Sequence, residues 1–447
     1  MQRRFKMTPT RLLVLGYLAM ILIGTVLLLL PVATKGEGSA SFIDAFFASV
    51  SASCVTGLVT HDTYMYWSLF GQIVLLVLIQ TGGIGFMTVV FAFWKLVGKR
   101  IGLKGRTVMQ ESVNAPTISG MVKLTGTILL GMVIFESIGA FILCFRFVPD
   151  FGWGRGIYFS VFTSISAFCN AGFDLMGAAG TEFASLTAYS GDPIICITVP
   201  LLIIIGGLGF FVWQDMRENR FHVRKYSLHT KLVLVTTCSL IIVAWLMVFI
   251  AEGDLPVGER VLSAFFTAVS PRTAGFNVLP LGGEGSVKTV TIFVTIVLML
   301  IGGSSGSTAG GIKTNTFAVL MLSVVSCLTG KRSIECFGRR LDEDNVKTAM
   351  QFVTLYLLAL VLGVIFICFF EIRSEEFGLT EIIFESASAI GTVGLTLGIT
   401  PQLTIASQVV LAILMYLGRV GCMTFMMSFR APSAPTASLP MEKVRIG

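Results

Sequence analysis

Cys54-Val55-Thr56-Gly57-Leu58, Cys169-Asn170-Ala171-Gly172-Phe173, Arg272-Thr273-Ala274-Gly275-Phe276 and Gly391-Thr392-Val393-Gly394-Leu395 are four versions of one stretch. In each, a glycine precedes a large apolar residue. Each also has a phenylalanine ten positions before that glycine: Phe47, Phe162, Phe265 and Phe384. The near-constant spacing of the four marks a fourfold internal repeat. One match would carry no weight in a chain rich in Phe and Gly; four in the same setting do.

That setting is a short apolar helix between two longer apolar runs. Glycine admits backbone with φ > 0 that a side chain forbids. Successive carbonyl oxygens can then turn toward one axis and replace the water around a dehydrated cation. The expected filter is therefore Val55, Thr56 and Gly57, Asn170, Ala171 and Gly172, Thr273, Ala274 and Gly275, and Thr392, Val393 and Gly394.

Composition agrees. The 447 residues are 54% hydrophobic and 13% charged, where a soluble domain carries about 25% charged residues. This is the profile of an all-α polytopic membrane protein lodged in a lipid bilayer. The basic start, 1–11, leads into an apolar run, 12–31, too long for a signal-peptide core and read as a retained first span. Nine scattered cysteines without a C-x-x-C pair read as buried thiols. Three histidines without ligand spacing speak against a metal enzyme. A membrane-embedded enzyme would need clustered ionisable groups on facing spans, so the chain reads as no enzyme. The net charge of +7 fits membrane topology better than nucleic acid.

Each repeat reads as outer helix, re-entrant pore helix with its loop, and inner helix. The outer helices fall near 12–31, 120–147, 229–251 and 348–371. The pore helices fall near 42–53, 156–168, 260–270 and 380–390, and the inner helices near 71–97, 193–214, 289–327 and 405–429. The expected layout is repeat 1 over 1–97, repeat 2 over 120–214, repeat 3 over 229–327 and repeat 4 over 348–429. Cytoplasmic links occupy 98–119, 215–228 and 328–347, and a tail follows from 430 to 447. That makes eight transmembrane helices and four re-entrant pore helices around one central pore. With both termini inside, the inner segments hold 23 basic and 8 acidic residues, and that excess sets the orientation. The acidic outer face would concentrate cations at the mouth.

The inner helices carry a second recurring feature. Gly82-Gly83-Ile84-Gly85 and Gly206-Gly207-Leu208-Gly209 read first as close helix packing. The third copy differs. Gly302, Gly303, Ser304, Ser305, Gly306, Ser307, Thr308, Gly310, Gly311 and Lys313 crowd one span, and each helical glycine costs about 1 kcal/mol relative to alanine. A broken helix with a polar loop under the filter follows, a candidate gate within 302–316. Lys313 adds charge there or anchors at the interface. In the fourth copy, Arg419 stands where the others have a second glycine. Intramembrane charges face a cavity or a partner. Arg419 therefore either lines the pore as an electrostatic barrier, or is held by Glu136 or by backbone carbonyls. Pore-helix serines such as Ser51, Ser53, Ser164, Ser166, Ser386 and Ser388 bond either the filter backbone or their own helix.

These stretches, with GGSSGSTAGGIKT at 302–314, LGRVG at 417–421 and the link from Gly98 to Gly105, resemble the Trk/Ktr/HKT superfamily of potassium transporters over nearly the whole chain. The likeness is greatest to Ktr-type membrane subunits. The resemblance implies potassium as cargo, since a serine in the first loop goes with sodium transport and position 57 here is glycine. It also implies a gating loop at 302–314, a barrier at Arg419 and a homodimer with one pore per protomer. A separate ring of nucleotide-binding regulatory subunits, KtrA-like, is implied at the cytoplasmic face of a bacterial inner membrane. The chain has no GxGxxG unit, so any nucleotide would bind the regulator. Sodium remains a second candidate ion, as coupled cargo or stimulant. Each loop has one glycine where tetrameric potassium channels have TVGYG, so rubidium and some sodium are expected to pass.

Overall fold

A computed structural model describes residues 8–36, 38–85, 88–89, 121–220, 222–283, 285–331, 333–372 and 377–429. The link 98–119, the tail 430–447, most of the first inner run beyond Gly85 and the Gly98–Gly105 match lie outside the described residues.

Among the described residues, four helices are long and apolar enough to cross a bilayer: α1 (Pro9–Leu28), α5 (Met121–Phe151), α9 (Leu228–Ala251) and α13 (Glu343–Phe370). Each is followed by a helix too short to cross: α2 (Phe42–Cys54), α6 (Trp153–Cys169), α10 (Val257–Val269) and α14 (Leu379–Gly391). Each short helix packs on the long helix before it. The one-turn α3 (Thr63–Tyr66) lies between α2 and α4 (Leu69–Ile84), and two-residue strands β1 (Glu335–Cys336) and β2 (Arg339–Arg340) form a small antiparallel hairpin.

Four further helices complete the units: α4, α7 (Pro193–Leu208), α11 (Thr289–Leu300) and α15 (Ile405–Val420). Each packs against the short helix of the next unit: α4 on α6, α7 on α10, and α11 on α14. Helix α15 then closes the circle on α2. Carboxylates fix the starts of three of these helices, and Ser68 caps α4. Glu252, at the end of α9, accepts from Lys288 N at 2.9 Å and Thr291 Oγ1 at 2.6 Å. Glu371, at the end of α13, accepts from Thr404 N at 2.9 Å and Thr404 Oγ1 at 2.7 Å. Asp192 caps α7 and also pairs with Arg146 Nε of α5 at 2.6 Å. An anion at a helix N-terminus satisfies orphan N–H groups and opposes the dipole.

The sequence places continuous helices over 71–97, 193–214 and 405–429, and the structure corrects this. Helix α4 stops at Ile84, with Gly85 at φ +91°. Helix α7 meets α8 (Phe210–Asn219) at 91° about Gly209, and α15 meets α16 (Cys422–Phe429) at 90° about Gly421. The third member is interrupted over 301–313, and α12 (Thr314–Leu328) resumes beyond it. The repeated glycines thus do two things. Gly85, Gly209 and Gly421 take positive φ and turn the chain. Gly82, Gly206 and Gly418 are the close-packing set: a β-carbon there would run into the carbonyls of Ser53, Phe168 and Ile390.

Gly418→Leu is expected to destabilise the protein by roughly 1–3 kcal/mol through overpacking. Gly154→Ala, in open space on α6, should be neutral or gain up to about 1 kcal/mol. Thermal unfolding of both variants in detergent checks the contrast.

Candidate functional site

The four short helices end where the glycine loops begin. Helices α2, α6 and α14 end on residues in left-handed backbone: Val55 (φ 59°), Asn170 (φ 61°) and Thr392 (φ 50°). Thr273 takes the same region in the third loop, with φ 77°. Left-handed backbone costs an L-residue about 1–2 kcal/mol, more for β-branched Val and Thr, so the surroundings must enforce it. Two residues on, Gly57, Gly172, Gly275 and Gly394 again have positive φ, of 102°, 69°, 82° and 93°. The residues between, Thr56, Ala171, Ala274 and Val393, do not. Alternation of this kind turns successive carbonyls to one side of the chain. The C-terminal, partially negative ends of the short helices are directed at the same place.

The glycine positions close a ring. A β-carbon on Gly57 would meet Ala171 O and Gly172 Cα, the latter at 3.1 Å. One on Gly172 would meet Ala274 O at 2.8 Å and Gly275 Cα at 2.9 Å. One on Gly275 would meet Val393 O and, at 3.2 Å, Gly394 Cα. One on Gly394 would meet Thr56 O and, at 2.9 Å, Gly57 Cα. The loops therefore follow one another around a single axis in chain order, each glycine against the next loop's carbonyl. All twelve expected filter residues lie in these loops. Among the described residues, the side-chain oxygens of Thr56, Thr392 and Asn170 are buried without a hydrogen-bond partner. Asn170 Nδ2 reaches across to Thr273 Oγ1 at 3.2 Å, linking loops two and three.

Sequence reasoning left the serines of the short helices open, and two of them support the ring. Ser51 Oγ accepts from Gly57 N, and Ser388 Oγ from Gly394 N, both at 3.0 Å. The six-residue spacing from serine to glycine does not by itself identify them, since Ser166 stands six residues before Gly172 without bonding it. Ser164 instead bonds Glu136 O at 2.7 Å, and Ser53, Ser166 and Ser386 have no partner among the described residues. The third loop departs from the others. Ala274 N bonds Ser270 O, four residues back, where Thr56, Ala171 and Val393 reach five residues back. The phenylalanine register shifts with it: Phe47, Phe162 and Phe384 are fully buried, but Phe266 takes that place in the third unit and Phe265 is only partly covered.

The 301–313 loop lies against the ring. A β-carbon on Gly310 would strike Thr392 Oγ1, and one on Gly302 would sit 3.0 Å from Thr273 Cγ2. Its neck is closed by Gly302 N to Ile312 O at 2.9 Å and Thr314 N to Gly303 O at 2.9 Å. Its tip is tied to the end of α7 by Ser304 N to Gly207 O at 2.9 Å, Thr308 N to Gly206 O at 3.2 Å and Phe210 N to Gly306 O at 2.7 Å. Lys313 is no interfacial anchor: its Nζ folds back on Ala309 O at 2.7 Å.

Arg419 has carbonyl partners. Its guanidinium donates to Thr308 O of the loop, to Gly82 O, and at 2.9 Å to Gly83 O. It therefore satisfies orphan carbonyls where α4 ends, and holds the loop with the same head group. Glu136 is held elsewhere, by Gln80 Nε2 at 3.0 Å. Arg272, unassigned from sequence, is buried and donates to Gly302 O at 3.2 Å, at the end of α11. Beyond the loop lies a cavity of about 810 Å³, lined by Gly83, Gly85, Ser305, Lys313, Asn315 and Arg419 and reaching Thr10 and Asn345.

Residues 6–438 match the model of the TrkH family, described as cation transport proteins. The chain is 40% identical to the Ktr system potassium uptake protein B of Bacillus subtilis, covering 99% of this chain and 97% of that one. It is 40% identical to the potassium/sodium uptake protein NtpJ of Enterococcus hirae, over 95% and 93% of the two chains. The crystal structure of the potassium transporter TrkH from Vibrio parahaemolyticus superposes with a TM-score of 0.73 at 17% identity, covering 96% of this chain and 86% of that one.

Ser388→Ala leaves the buried Gly394 N–H without its acceptor and should cost about 1–3 kcal/mol. Ser386→Ala removes an unpartnered hydroxyl and should be close to neutral. Equal losses for the two in chemical or thermal unfolding would contradict the assignment of Ser388.

Proposed function

The chain belongs to the TrkH family of cation transport proteins, and on that premise we propose that it is a potassium uptake protein whose selectivity filter is the ring of four glycine loops. The closed ring carries this reading. Potassium sheds water at carbonyls of residues 55–57, 170–172, 273–275 and 392–394, where fixed dipoles stand in for its hydration shell. It then passes the loop around 302–314 and the Arg419 barrier, and enters the cytoplasm through the 810 Å³ vestibule. An inside-negative potential of 100 mV supplies about 2.3 kcal/mol per charge, enough for accumulation without ATP hydrolysis by this chain.

The wider arrangement rests on the same reading. Eight crossings and four re-entrant helices make one pore, in four repeats with the boundaries read from the sequence. Both termini lie on the basic, cytoplasmic side of a bacterial inner membrane. Two copies form a homodimer, and a KtrA-like ring of nucleotide-binding subunits acts on the loop from below. The loop's bonds to α7 and Arg419 make a latch that such a partner can release. The Enterococcus relative's name includes sodium, which favours sodium-coupled potassium symport as the second reading.

Cation flux into proteoliposomes under an imposed inside-negative potential tests this, with and without a KtrA-like ring. Potassium and rubidium should enter well ahead of sodium. Gly57→Ser, whose side chain would push on Ala171 O, should raise the sodium-to-potassium ratio by roughly an order of magnitude. Deletion of 304–310, or Arg419→Ala, should raise basal flux about tenfold. A fixed sodium-to-potassium flux ratio would select symport, and unselective wild-type flux would remove the filter assignment.

A further inference from the structure

The fourth glycine loop is braced from behind by a carboxylate. Glu385 lies in α14, nine residues before Gly394, and is fully buried. The corresponding residues of the other units, each directly after the buried phenylalanine, are Ala48, Thr163 and Thr267. Glu385 therefore cannot be a requirement of the repeat itself. Its partners all come from the segment that leaves the glycine ring. Thr396 Oγ1, two residues past Gly394, donates to Oε1. Thr400 Oγ1 donates to Oε2 at 3.0 Å. Thr396 Oγ1 also accepts from Gly398 N at 2.8 Å, and the backbone N–H of Leu397 faces the same carboxylate.

This donor set suits one form of the side chain. An ionised carboxylate only accepts hydrogen bonds, and both hydroxyls and the amide can donate to it. As arranged, Thr396 Oγ1 already accepts from Gly398 N and turns its proton to Oε1, and Thr400 Oγ1 turns its own to Oε2, so the set supplies the carboxylate with donors. A buried anion is costly unless it is paired. The described residues place no Lys or Arg in ion-pair contact with Glu385. A cation crossing the adjacent ring is the positive charge that fits this place. We propose that Glu385 is a positioning residue for cation selection. Its negative charge and its two threonine donors hold the fourth loop so that Val393 O and Gly394 stay in the ring, and favour a dehydrated monovalent cation there. The inference deepens the filter reading above and rests on it.

The test uses the full-length purified chain in two assays: potassium-dependent thermal stabilisation in detergent, and competitive rubidium and sodium uptake in proteoliposomes. Glu385→Gln keeps the shape but removes the charge and one acceptor. It should raise the half-saturating potassium concentration about tenfold, the effect of losing a charge-assisted hydrogen bond, with maximal flux little changed and the sodium-to-rubidium ratio increased. Glu385→Asp should recover part of the selectivity. If Glu385→Gln fails to fold, the double variant Thr396→Val, Thr400→Val, which removes the donors and leaves the carboxylate, should give the same shift in half-saturation. Unchanged half-saturation and selectivity in folded Glu385→Gln would reduce Glu385 to packing and overturn the proposal. Wild-type protein that neither transports rubidium nor is stabilised by potassium would instead sink the filter reading, and this inference with it.

Discussion

Four backbones meet where no side chain fits, and most of the molecule follows from that contact. A β-carbon on any ring glycine would strike the carbonyl of the next loop, and the last returns to the first. A closed ring of this kind needs helices that deliver chain ends to one point. It also needs neighbours that keep β-branched residues in left-handed backbone. The short helices do the first, and Ser51 and Ser388 help with the second. The cyclic packing of each inner helix on the next unit's short helix locks the order of the loops.

The same crowding obliges the inner helices to break, and broken helices at membrane depth leave carbonyls without partners. Two arginines, Arg272 buried and Arg419 partly buried, answer this. Arg419 takes the carbonyls at the end of α4, and Arg272 the Gly302 carbonyl of the 301–313 loop. A guanidinium has five donors in a rigid fork, which suits it to several carbonyls that cannot move. The tip of the loop is held by main-chain bonds to α7, while Ile312 at its far end packs in the apolar core.

Much of this was legible in the sequence because glycine is informative where it recurs. The four loops, the short helices and the interrupted third inner helix all follow from composition and spacing. What stayed hidden depends on which neighbour reaches which atom. Gly85 and Gly82 look alike in sequence, yet one turns the chain and the other lets a carbonyl approach. Arg419 was legible as an expensive charge, but its choice of carbonyls over Glu136 depended on where α4 ends. Glu385 gave no periodic signal because the other repeats lack it. The shift from Phe265 to Phe266 reflects a tighter hydrogen bond in one turn, which no residue type announces.

The ring is drawn from one polypeptide, so its four sides can diverge. In an assembly of identical subunits, every substitution at such a ring arrives in quadruplicate, and a change small enough to survive is also small in its range. Here a residue altered in one loop touches a single quadrant. For the filter proposed above, discrimination between ions of similar size would be adjustable in quarter steps, and asymmetry among the loops would be a variable on which selection can act.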